Sequence, residues 1–122
     1  MLRVIAVEET QPVVFHCAAG KDRTGLVAAL LLGVLGVDDE SIVRDFTLTA
    51  DRMPELISRH QARADADGAA AEVGQAQYGA HATAMELTLA HVTEEYGSME
   101  AYVLAHDLEP KAVTALRRSL LE

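Results

Sequence analysis

Residues 25 to 36 read GLVAALLLGVLG, a run without one polar side chain. It is long enough for about three helical turns, and a helix that is apolar on nearly every face must be enclosed by other elements. Gly36 supplies its C-terminal stop. Upstream, Pro12 is followed by Val13-Val14-Phe15, a β-branched and aromatic run that predicts one buried strand. Between strand and helix lies His16-Cys17-Ala18-Ala19-Gly20-Lys21-Asp22-Arg23-Thr24, so the single cysteine of the chain sits in a loop entering a helix N-terminus.

Such a loop aims several backbone N–H groups at one point, and the helix macrodipole adds partial positive charge there. Gly20 lets the backbone turn sharply and approach an oxyanion closely, while Ala18 and Ala19 leave space around it. Arg23 offers a planar fork that matches two phosphoryl oxygens and keeps its charge. In that field the Cys17 thiol is expected to ionise within the range of about 3.5–7.5 typical of activated cysteines, making it a nucleophile aimed at phosphorus. The alternative for Cys17, a small buried hydrophobe, leaves Gly20, Lys21 and Arg23 at these offsets without explanation. A nucleotide-binding phosphate loop is rejected: it requires Gly where Phe15 stands, and Ser or Thr after Lys21, where Asp22 stands.

The remaining pattern is helical. Asp38 is placed to cap a helix over DDESIVRDFTLTADRM, with Ile42, Val43, Phe46 and Leu48 as its apolar stripe and Pro54 breaking or restarting it. Residues 55 to 77 are polar, Ala-rich and interrupted by Gly68 and Gly74, and are read as a mobile connection or lid. A further amphipathic helix begins near Ala82 and stops at Gly97; a shorter one starts at Ser98, and Pro110 opens a terminal one. The expectation is one strand and five or six helices in a single unit of 122 residues, with no internal repeat. Aromatic residues are only 4% of the chain, which predicts an aliphatic, helix-rich interior. A net charge of −9 disfavours broad attraction to nucleic acid or to an anionic membrane, so a basic site must be local. One cysteine and no apolar run of about 20 residues point to a cytoplasmic chain without a membrane span.

The segment His16 to Gly25, HCAAGKDRTG, resembles the active-site loop of the cysteine-based protein tyrosine phosphatases, and within them the bacterial tyrosine/serine phosphatase group. Val43-Arg44-Asp45-Phe46, Tyr96 to Tyr102 and Leu116-Arg117 look like later helices of that group. The resemblance implies an α/β fold of which this chain is mostly the helical C-terminal half, with one strand leading into the loop. It implies that Cys17 attacks a phosphomonoester to form a cysteinyl-phosphate, which water hydrolyses to inorganic phosphate, with no cofactor and no metal. Ala18, Ala19, Gly20, Lys21, Asp22 and Arg23 would bind the phosphoryl group. Thr24 would hydrogen-bond the sulfur, which is compatible with a helix-capping role. His16 would orient the loop, with Gly25 in support. Lys21 contacts phosphate or an acidic part of the substrate on one reading and is a solvated lysine on the other. Substrates implied are phosphotyrosine proteins, with phosphoserine/threonine or phosphoinositides in addition.

The chain departs from the wider family in its general acid. Members bring an aspartate from a loop well upstream, whereas the carboxylates before Cys17 are Glu8 and Glu9, read as a solvated face. Asp22 is the candidate instead, or it ties the loop to a neighbouring donor. The family's upstream strands and helices are missing, so the chain is expected to be a partial domain: a fragment or truncated reading frame with a homodimer as its solution state, or else a genuine short protein completed by self-association or a partner. Two other functional readings stand beside hydrolysis: a phosphate-binding module without turnover, and, less favoured by Arg23-Thr24, a sulfurtransferase. His60, His81, His91 and His106 lack metal-site spacing.

Overall fold

Helix ends are governed by local chemistry, and the helices that open at Asp39 and Met99 begin where a side-chain cap puts them. The computed structural model of the chain describes residues 1–66 and 79–121. Among them run α1 (Leu2–Ile5), a 3₁₀ turn (Glu8–Thr10), α2 (Asp22–Val34), α3 (Asp39–Leu48), a second 3₁₀ turn (Thr49–Arg52), α4 (Met53–Ala66), α5 (Ala82–Tyr96), α6 (Met99–Ala105) and α7 (Pro110–Leu121). Asp38 accepts a hydrogen bond from the Ser41 N–H at 2.9 Å and so caps α3, and Ser98 accepts one from Ala101 N–H at 3.0 Å and caps α6. After α2 the Val37 N–H reaches back to the Leu32 carbonyl and the Gly36 N–H to Gly33, satisfying carbonyls that the helix end leaves open.

The apolar run of α2 lies between two core clusters. On one side Ala29 joins Ile42 and Phe46 of α3, Met85, Leu89 and Val92 of α5, and Met99 of α6. On the other, Val34 joins Leu2 and Ile5 of α1, Val103 of α6, and Val113 and Leu116 of α7. The enclosure is incomplete: Leu26, near the start of α2, is 43% exposed, because the packed helices cover its other faces. Arg117 clamps the far end, donating from Nε to the Val34 carbonyl at 3.1 Å and from Nη2 to Glu100 at 2.6 Å.

The expected α/β architecture does not form. Among the described residues the secondary structure is helical throughout, with no strand and no sheet. Val13 and Phe15 turn onto the second core cluster while Val14 is 90% exposed, so the side chains alternate as in a strand. The ladder is what is absent: among the described residues no backbone–backbone hydrogen bond engages residues 12 to 20 as donor or acceptor. Side-chain preference favours extended backbone, but a sheet needs a second backbone facing the first, and a single run cannot supply it. Of the connection read at 55 to 77, residues up to Ala66 belong to α4, and 67 to 77 lie outside the described residues.

Candidate active site

The loop from Cys17 to Thr24 closes around the sulfur. Around it stand the Thr24 hydroxyl and the backbone N–H groups of Thr24, Gly20 and Lys21, and they lower the Cys17 thiol from 9.0 to about 6. The Thr24 hydroxyl is the largest cause, its own N–H the next; partial burial of the sulfur opposes them, and the other two N–H groups add to them. An ionised sulfur is a far better acceptor than a thiol, so donors converging on one point favour the thiolate. Thr24 Oγ1 is itself buried and has no hydrogen-bond partner among the described residues, and of the groups around the Cys17 sulfur it lowers the thiol most. Gly20 makes the turn possible with φ of +68°, a left-handed conformation that a side chain would strain.

Thr24→Val removes the hydroxyl while keeping the shape. The Cys17 titration, followed by the pH dependence of alkylation, is expected to move from about 6 toward 9.0. Thr24→Ser should hold it near the original midpoint. Because the folded thiol ionises below its ordinary value, its stabilisation of the fold is complete above about 9 and declines as pH falls toward about 6.

Asp22 and Arg23 occupy the first turn of α2, both exposed, and Arg23 makes no hydrogen bond or ion pair among the described residues. Its guanidinium donors are therefore taken by no described residue. Ala18 is exposed and Ala19 half-buried. His16 is exposed, with Nδ1 3.2 Å from the Cys17 carbonyl oxygen, a hydrogen bond when that nitrogen carries the proton. Glu8 and Glu9 lie exposed in the first 3₁₀ turn, and Glu8 stands 3.3 Å from Arg118.

Lys21 is placed as no spacing in the sequence announces. It is 6% exposed, the one buried charged residue among those described. Its ammonium donates to the Gly79 carbonyl at 3.1 Å and lies 3.4 Å from the exposed Asp22 carboxylate. The loop is thereby tied to the residues that lead into α5, and Gly79 is a contributor that sequence reading had no local signal to find.

Gly25 sets how closely the loop sits on the core. A Cβ there would fall 2.8 and 2.9 Å from the ring carbons of Phe46, which is itself buried. Gly25→Ala is expected to lower stability: overpacking against a ring costs roughly 1–3 kcal/mol, against about 1 kcal/mol gained from alanine's helix propensity. A thermal melt checks the sign, and Phe46→Leu in the same chain should relieve part of the loss.

A sequence family described as the tyrosine phosphatase family matches residues 1–122, the whole chain. The chain belongs to that family. It is 33% identical over 118 residues to a tyrosine-protein phosphatase of Nostoc commune, covering 93% of this chain and 40% of the relative. It is 33% identical over 122 residues to the triple specificity protein phosphatase PtpB of Mycobacterium tuberculosis, covering 91% of this chain and 44% of that protein. The chain thus spans less than half the length of these curated relatives. Within this phosphatase family member, the eight successive residues from Cys17 to Thr24 hold the ionisable sulfur beside backbone N–H groups.

Proposed function

We propose that this chain hydrolyses phosphotyrosine monoesters through a cysteinyl-phosphate on Cys17. The observation that carries the reading is a thiol lowered to about 6 by convergent donors, with Arg23, at the entrance of the same helix, engaged by none of the described residues. The Cys17 sulfur forms a bond to phosphorus as the ester oxygen leaves. Asp22, 72% exposed on its side chain, gives that oxygen a proton. Water then attacks phosphorus, the S–P bond breaks back to thiolate, and inorganic phosphate departs. Arg23 and the loop amides take the equatorial oxygens, most strongly where charge accumulates in the transition state.

Phosphoserine/threonine and phosphoinositide esters belong to the same proposal, supported by the name of the mycobacterial relative as a triple specificity phosphatase. A reducing cytoplasm suits a free reactive thiol. No helix among the described residues is long and apolar enough to cross a membrane. Self-association that covers Val14 is the proposed solution state, and α4 is the proposed cover over the site.

Turnover of an aryl phosphate, inhibited by vanadate in competition with substrate, tests the proposal. A second reading is a phosphate-binding module that holds vanadate and turns nothing over. Vanadate binding without turnover would select it.

A further inference from the structure

A cavity of about 310 Å³ opens beside the loop, lined by Ala19 and by Arg52, Met53, Glu55, Leu56 and Arg59 of the second 3₁₀ turn and α4. Ala19 is two positions from the nucleophile, so whatever extends from an ester held at Cys17 has this space adjacent to it. Met53 is buried and Leu56 half-buried, giving an apolar floor. The polar rim carries two cations against one carboxylate, and these are not equivalent. Arg59 is engaged by Glu55, Nη2 to Oε1 at 2.5 Å. Arg52 makes no hydrogen bond or ion pair among the described residues.

We propose that this cavity is a subsite for an acidic side chain flanking the phosphorylated residue of a peptide substrate, with Arg52 as the group that takes its carboxylate. The proposal rests on the phosphatase reading above. An aspartate or glutamate presents a short aliphatic stem to Met53 and Leu56 and a planar carboxylate that a guanidinium fork matches with two hydrogen bonds. A peptide is favoured over a lipid headgroup because a chain of net charge −9 is repelled by an anionic bilayer, whereas a peptide brings its charges one at a time to a local cation.

The test uses two phosphotyrosine peptides that differ only in glutamate or glutamine beside the phosphorylated residue. For the unmodified chain, kcat/KM is expected to favour the glutamate peptide by roughly threefold to fivefold, the scale of one solvent-accessible ion pair, and the preference should shrink with added salt. Arg52→Gln should bring the ratio to about one, and Arg52→Glu should invert it. Equilibrium binding of the same peptides to Cys17→Ser gives a readout that needs no turnover. If the chain turns over no ester but Cys17→Ser keeps an Arg52-dependent preference, hydrolysis is overturned and the subsite is supported. The subsite is overturned by an unchanged ratio in Arg52→Gln, by equal or unmeasurable affinity for both peptides, or by Arg52-dependent binding to phosphoinositide vesicles without a peptide preference.

Discussion

Cys17→Ser is expected to lower aryl phosphate turnover by about 10⁴-fold or more, the scale seen when a catalytic nucleophile is removed from a unit whose parts act together. Serine fits the same space, but its hydroxyl does not ionise near neutral pH. The donors that lower the thiol to about 6 act on a sulfur anion, and they cannot bring an alcohol within reach of physiological pH. The same N–H groups of Gly20, Lys21 and Thr24 remain in place in the variant, so affinity for vanadate or an uncleaved phosphopeptide should persist. Loss of turnover with retained binding is the decisive pair of results. Turnover at the original rate in Cys17→Ser would remove the sulfur from the reaction altogether.

The second large effect concerns Arg23. Arg23→Lys preserves the charge and discards the planar fork, and turnover is expected to fall by roughly 10²–10³-fold, as when one preorganised donor to a developing oxyanion is lost. Because Arg23 is not among the causes that lower the thiol, the alkylation midpoint of Cys17 should remain at about 6 in this variant. That separates it from Thr24→Val, whose midpoint rises. An Arg23→Lys chain that keeps both the midpoint and the original turnover would assign oxyanion binding to the backbone alone. One in which the midpoint moved with the rate would instead place Arg23 in the structure of the loop.

How much of this was legible beforehand follows from the range over which each interaction acts. The helix boundaries at Asp38, Gly97 and Ser98 were readable because a cap bonds across three or four positions, as Asp38 does with Ser41. The strand at Val13 to Phe15 was misread for the opposite reason. Its side chains alternate inward and outward as expected, yet pairing is a property of two segments, and among the described residues no second one faces it. The apolar helix was expected to be enclosed, and Leu26 shows that an all-apolar pattern records a demand for cover without saying which part of it is met. Lys21 was open between phosphate contact and solvent, and neither alternative included a bond to a carbonyl 58 positions away.

What the sequence by itself determined is the chemistry of the loop. Cys17, Gly20, Lys21 and Thr24 lie within eight consecutive residues, and a tight turn into a helix brings their donors to the sulfur whatever surrounds them. Tertiary structure alone decided what the loop rests on and what stands beside it: the Phe46 ring against Gly25, the Gly79 carbonyl over Lys21, and Arg52 in the cavity next to Ala19. Those distances depend on how helices remote in the chain pack against one another, and each pairing is fixed by the shape of buried side chains acting together, a quantity no short stretch of residues contains.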